Sequence, residues 1–133
     1  MISFIKTTFI FSTLLLGILI TSCGQTPTKD LIIGNWMFEK FEFSGQLANI
    51  PPTEEKKANE ANKGLIIKFT AGNQFSSEQK NSKAINNSTG TYKLLANDKL
   101  IFMGDTTKII LLDKTYLKLY RNDLSPIVVF KRQ

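Results

Sequence analysis

The clearest repeating pattern in the chain is GTYKLLANDKLIFMGD, residues 90–105. Apolar and polar side chains alternate with a period of two on both sides of Ala96-Asn97-Asp98, and Gly104-Asp105 closes the second run. This period is typical of β-strands with one buried face, and Asn, Asp and Gly favour the turns between strands. The pattern therefore predicts two short strands, over Gly90 to Leu95 and Leu100 to Met103, separated by a turn.

The same alternation continues towards both ends of the chain. It predicts six further strands, over Ile33 to Phe43, Leu65 to Thr70, Gln74 to Gln79, Lys108 to Leu112, Thr115 to Arg121 and Ile127 to Lys131. Residues 81–88 are polar and predict a loop. In the first strand the apolar parity changes between Phe38 and Phe41, which predicts a bulge near Glu39-Lys40. An all-β fold of about eight strands follows.

One insertion after the first strand departs from this pattern. Residues 51–64 carry helix signals, with Thr53 as a cap, Glu54 and Glu55 in the first turn and Gly64 at the end. The insertion has almost no apolar face to bury. It therefore predicts a short surface helix or a loop.

Composition excludes most kinds of enzyme. The 133 residues fit one domain, His is absent and Cys occurs once, so His-based triads and His metal sites are ruled out. The motif Ser77-Glu78-Gln79-Lys80 matches S-x-x-K but lies on a strand end, where Lys80 is not brought beneath Ser77. The lysines that give the net charge of +6 are scattered, which argues against nucleic-acid binding. We therefore expect no catalytic residues, no metal and no cofactor.

The first 22 residues have the pattern of a signal peptide. Lys6 is followed by a 12-residue mostly apolar run from Phe9 to Ile20, whereas a membrane-spanning helix needs about 20 apolar residues. The alternative is an uncleaved anchor helix.

The end of this leader, Ile20-Thr21-Ser22-Cys23, resembles the lipobox of bacterial lipoproteins. The resemblance implies that Cys23 takes a diacylglycerol and that a peptidase cuts before it; the alternative is a buried core cysteine. Gly24 stands where lipoproteins of the inner membrane often carry Asp, which implies the outer membrane, and no acidic cluster precedes Asp30, which favours the face towards the periplasm. The expected organisation is a signal peptide over 1–22, a lipidated Cys and linker over 23–30, and a domain over 31–133.

Several short motifs in this domain are similar to those of small bacterial lipocalin-like proteins. They are Gly34-Asn35-Trp36, the strand-turn-strand Ile67 to Phe75, Gly90-Thr91-Tyr92-Lys93-Leu94 and the closing Val129-Phe130-Lys131-Arg132. The resemblance implies an up-and-down antiparallel barrel of about eight strands, in which Trp36 plugs the closed end; the alternative is that Trp36 lines a ligand site. It further implies a function: a tethered barrel that binds a small apolar or amphipathic ligand. The alternative is a periplasmic protein-interaction or inhibitor module with a filled barrel.

Strand parity predicts which side chains face the barrel interior. The inward set is Tyr92, Leu94, Leu100, Phe102, Ile109, Leu111, Leu117 and Leu119. These residues form the core, or line a ligand pocket if the barrel contains a void. Tyr116 and Tyr120 share the opposite face with Lys118, where they form a candidate external contact patch.

The last strand predicts one specific contact. Val128, Phe130 and Arg132 share a parity, and the first and last strands of an up-and-down barrel are antiparallel neighbours. Arg132 is therefore expected to stack on Trp36, as lipocalins commonly close the end of the barrel with a Trp–Arg contact.

One motif concerns modification. Asp105-Thr106-Thr107 resembles a signal of periplasmic O-glycosylation systems and lies on a predicted turn, which makes Thr106 a candidate acceptor. The alternative is an ordinary Asp-Thr turn.

Overall fold

The structure, a computed structural model, describes residues 28–80, 85–96 and 98–133. The predicted signal peptide and Cys23 lie outside the described residues. The helices are α1 (Thr28–Ile32) and α2 (Pro52–Asn62), with a 3-10 turn over Gly45–Leu47. The strands are β1 (Gly34–Glu42), β2 (Leu65–Phe69), β3 (Gln74–Lys80), β4 (Ile85–Thr91), β5 (Lys93–Leu95), β6 (Lys99–Phe102), β7 (Asp105–Leu112), β8 (Tyr116–Tyr120) and β9 (Ile127–Arg132).

The described strands form one antiparallel sheet that curls into a nearly closed barrel. Its strand order is β4-β3-β2-β1-β9-β8-β7-β6-β5. β4 and β5, at the two ends of this order, follow each other in the chain and are separated only by Tyr92. The segment 85–95 thus pairs with β3 through its first part and with β6 through its second. When residues 85–95 are counted as one strand, the sheet is a meander of eight strands. The predicted all-β up-and-down barrel is therefore confirmed.

The first and last strands meet side by side. Their register pairs Trp36 with Arg132 and Phe38 with Phe130, then shifts by one residue between Phe38 and Lys40. This shift is the bulge that the parity change in β1 predicts. Because of it, Phe41 turns inward and packs against the core.

Successive connections alternate between the two ends of the barrel. The turns at 70–73 and 113–115 and the described ends of β5 and β6 that follow each other in the chain, Leu95 and Lys99, lie at the end where α1 enters β1, which we call the closed end. The segment with α2, the turn at 103–104 and the loop 121–126 lie at the other, which we call the open end.

Aromatic rings fill much of the interior. Phe69 meets Tyr92 and Phe102 edge to face, with ring centroids 5.0 and 5.6 Å apart, and Phe75 meets Phe102 at 5.6 Å. Edge-to-face pairs of this kind are favourable beyond the area they bury. Gly90 makes room for one ring, since a Cβ there would lie 2.9 Å from Cε1 of Phe75.

Two local expectations need correction. Residues 85–88, expected in a loop, belong to β4, because pairing with β3 outweighs the weak strand propensity of Asn and Ser. Asp105 to Thr107, expected on a turn, begin β7. The described part of the chain includes α1, and Ile32 on this helix is completely buried in the core.

The insertion forms the short helix that the sequence signals indicate, although it begins at Pro52 with Pro51 rather than Thr53 at the cap. Its polar side holds it to the sheet. The backbone N–H of Phe41 donates to Oδ1 of Asn59 at 2.7 Å, and Nε2 of Gln79 donates to the carbonyl of Ala61 at 2.6 Å. These bonds fix α2 beside β1 and β3 at the open end.

Candidate functional site

The closed end is sealed by a tryptophan beneath a helix. Trp36 and Ile32 are both fully buried, and the indole Nε1 of Trp36 donates to the Ile32 carbonyl at 2.7 Å. The guanidinium carbon of Arg132 lies 4.2 Å from the centroid of the Trp36 ring, the contact that strand parity predicts.

Arg132 also binds three backbone carbonyls around this seal. Its Nη1 donates to Ile33 at 2.8 Å, its Nη2 donates to Leu31, and its Nε donates to Lys114 at 3.0 Å. One side chain therefore joins α1, the last strand and the β7–β8 turn. This role is structural, and it leaves the open end as the side from which a ligand can enter.

A cavity of about 320 Å³ lies at the open end, and we call it the mouth cavity. Its inner wall is apolar and comes from four strands. The lining side chains of this wall are Phe41, Phe102, Leu119, Val128 and Phe130. Ligand sites are typically concave and mostly apolar, with a few polar groups that fix orientation. The mouth cavity has this character and lies opposite the sealed end.

Polar side chains form its rim. Nη2 of Arg121 lies 2.5 Å from Oδ2 of Asp105, and both side chains are about half exposed. Such an exposed ion pair contributes little to stability, so it can open towards a charged ligand group at low cost. Oγ of Ser125 donates to Oδ1 of Asn122 at 3.0 Å and helps to hold the loop that completes the rim.

Seven of the eight residues expected to face inward do so. Tyr92, Leu100, Phe102, Ile109, Leu117 and Leu119 belong to the buried core, and Leu94 packs against it. Phe102 and Leu119 also line the mouth cavity. The hydroxyl of Tyr92 donates to the Thr70 carbonyl at 2.7 Å, and burial raises the pKa of this hydroxyl, so it serves as a neutral structural donor.

The expectation for Leu111 is wrong. The register between β7 and β8 shifts between Ile109 and Leu111, so Ile110 forms a second bulge. Leu111 is 38% exposed, and Leu112 packs against the core in its place.

The external patch of Tyr116, Lys118 and Tyr120 is partly bonded within the chain. Nζ of Lys118 lies 2.9 and 3.1 Å from the two carboxylate oxygens of Glu42, and this hydrogen bond lowers the pKa of Glu42. The hydroxyl of Tyr120 donates to Asp123, which raises the pKa of Tyr120. These polar groups already have partners, so the patch offers few free contacts. Thr106 is exposed on β7.

Sequence reasoning missed part of the mouth cavity. Strand parity gives no sign that a pocket is lined by Phe41, Val128 and Phe130, although it is consistent with their facing inward. The loop that contains Ser125 and Pro126 has no periodic signal at all. No protein-family model matches the chain and no curated protein matches it with significant similarity. The helices in the described part of the chain are too short or too polar to span a bilayer.

Proposed function

We propose that this protein is a bacterial lipoprotein whose lipocalin-like barrel binds a small apolar or amphipathic ligand without catalysing a reaction. The mouth cavity carries the proposal, because it combines an apolar wall with a charged rim at the accessible end. Its volume of about 320 Å³ is near the lower limit for ligand sites, so the ligand is small. Since aromatic rings fill the barrel beneath, the ligand is held at the mouth rather than enclosed.

The rim favours an amphipathic ligand over a wholly apolar one. An apolar group against Phe102 and Leu119 would be removed from water, which is favourable by about 25 cal/mol per Å² of buried apolar area. A polar or anionic group at the other end of the ligand could then reach Arg121 at the rim.

Blocking the mouth cavity tests this function. Val128→Phe places a ring in the cavity, and we expect it to weaken binding of the fluorescent amphipathic anion anilinonaphthalene sulfonate about tenfold or more. Ile110→Phe adds a ring to an exposed position on the outer face and is the matched control, expected to bind as the wild type does. Equal binding by all three proteins, together with no co-purified small molecule in native mass spectrometry, would rule out ligand binding at the mouth.

The tether is the second part of the proposal. The leader, the small residues before Cys23 and the absence of any other cysteine support lipidation of Cys23 and a location at the outer membrane, facing the periplasm. Only four residues separate Cys23 from Thr28, where the first described helix begins. Two or three acyl chains on Cys23 make attachment stable, at about 0.8 kcal/mol per buried CH₂.

Replacing Cys23 tests the tether. We expect wild-type protein in the membrane fraction, with an intact mass that shows acylation and a chain beginning at residue 23. Cys23→Ala should keep the uncleaved leader and lack the lipid mass. An unmodified Cys23 in wild-type protein would contradict the proposal.

A specific observation favours a second candidate function, a protein-interaction or inhibitor module. Leu124 is 75% exposed and Met103 is 48% exposed, and both lie at the open end. The backbone N–H of Leu124 donates to Oδ1 of Asn122 at 2.9 Å, so the loop presents Leu124 in a defined conformation. Capture of one envelope protein by the wild type but not by Leu124→Ser would support this function.

A further inference from the structure

Among the side chains that the structure describes, those at the closed end of the barrel are more basic than those at the open end. Five lysines lie on α1, on the turns of this end or on strand residues next to it, and the same end carries three aspartates, Asp30, Asp98 and Asp113. The five are Lys29, Lys68, Lys93, Lys99 and Lys114. Counted in the same way, the described part of the open end carries six basic and seven acidic side chains. They are Lys40, Lys56, Lys57, Lys63, Lys118 and Arg121, against Glu42, Glu54, Glu55, Glu60, Glu78, Asp105 and Asp123.

No ion pair in the described part of the chain joins any of these five lysines to a carboxylate. The ion pairs found there join Lys40 and Lys118 to Glu42, and Arg121 to Asp105. Of the three aspartates, Asp113 accepts hydrogen bonds from the backbone N–H groups of Tyr116 and Thr115. These hydrogen bonds hold the pKa of the Asp113 carboxyl below its ordinary value. The closed end therefore presents a net positive surface to its surroundings.

We propose that this closed end docks on the anionic headgroups of the membrane to which Cys23 is tethered, so that the mouth cavity faces away from the bilayer. The inference rests on the proposed lipidation of Cys23. The chain enters the barrel at the closed end, and the five residues from Cys23 to Thr28 reach at most about 18 Å. Lysines held this close to an anionic surface are attracted to it within a Debye length of about 8 Å.

Vesicle binding by the unlipidated domain tests the electrostatic part. A chain of residues 24–133 contains every buried side chain of the described core, from Ile32 to Phe130, and both edges of the sheet. We expect it to sediment with phosphatidylglycerol-containing vesicles, to be released by added salt, and not to bind pure phosphatidylcholine. Failure to bind anionic vesicles at low salt would overturn the docking.

Two charge-reversal variants separate a docking surface from a simple effect of net charge. Changing Lys93, Lys99 and Lys114 to Glu should lower the partition coefficient at least about tenfold, since each lysine near the surface contributes severalfold. Changing Lys56 and Lys57 on α2 and Lys63, which follows its last residue, to Glu makes the same change in net charge and should reduce the partition coefficient far less. Equal losses in both variants would contradict the proposal, and thermal melts confirm that each variant is folded.

Orientation is measured on the lipidated protein. A fluorophore on Leu124→Cys should be shielded from a headgroup quencher, whereas one on Lys114→Cys should be quenched. The reverse pattern would overturn the proposed orientation. An intact mass that lacks lipid on Cys23 would refute the tether alone, because the vesicle experiment does not depend on the lipid.

Discussion

Replacing Arg132 with alanine is expected to lower the free energy of unfolding by about 3 kcal/mol, and the melting temperature by about 15 °C. The change removes the stacking on Trp36 and leaves the carbonyls of Leu31, Ile33 and Lys114 without their donor. Hydrogen bonds from a charged donor contribute about 1.5 to 3 kcal/mol each, and the stacking adds about 0.5 to 2 kcal/mol, although partial access of water reduces the sum. Tryptophan fluorescence should shift at the same time, because Trp36 is the sole tryptophan.

Two variants show what this effect depends on. Arg132→Lys keeps the charge but loses the planar fork that reaches several carbonyls, so it should recover only part of the lost stability. Arg121→Ala removes the other arginine, whose ion pair with Asp105 is exposed, and should cost less than about 1 kcal/mol. Arg132 would have no special role if both alanine variants melted at the same temperature.

Gly34→Ala is expected to cost about 3 kcal/mol for two separate reasons. Gly34 has φ +139°, a conformation that residues with a side chain rarely adopt and that costs about 1 to 3 kcal/mol. A Cβ at this position would also lie 2.5 Å from Nη1 of Arg132, so the guanidinium would have to leave the Ile33 carbonyl. Denaturant titration of the purified domain measures the loss.

The other glycines supply the controls. Gly45 has φ +59° with nothing within 4 Å of an added Cβ, so Gly45→Ala measures backbone strain without a clash. Gly72→Ala faces only Oγ1 of Thr70 at 4.0 Å and should be nearly neutral. In the double variant with Arg132→Ala, the cost of Gly34→Ala should fall, since the clashing group is gone. Strictly additive effects would contradict the steric explanation.

The predictable parts of this fold are those in which polar and apolar residues alternate cleanly. Alternation around Trp36 and Phe38 was enough to locate the first bulge, and the parity of β9 was enough to place Arg132 over Trp36. The second bulge was not predictable, because Ile109-Ile110-Leu111-Leu112 is apolar throughout and no parity change marks the extra residue.

The candidate site was less predictable than the barrel. Its walls follow from strand parity, but its rim depends on how the loop 121–126 folds over the open end, which requires tertiary contacts such as those of Asn122. The polar segment over Asn87 to Thr89 likewise has no strand signal of its own and becomes a strand only through its partner β3. α1 is ordered for a similar reason, since its carbonyls bind Trp36 and Arg132.

The pairing of β1 with β9 also determines the order in which the molecule can assemble. Every other pairing of neighbouring strands is closed within a short stretch of chain, whereas the bond from Arg132 to Ile33 joins residues 99 positions apart. Contacts of such long sequence separation are slow to form. Synthesis starts at the N-terminus, so the sheet must stay open until the six residues of β9 have been made. Until then, the edge of β1 that carries Trp36 has no partner strand on the β9 side. The proposed export of the chain requires it to be unfolded while it crosses the membrane, and late closure of the barrel is compatible with that.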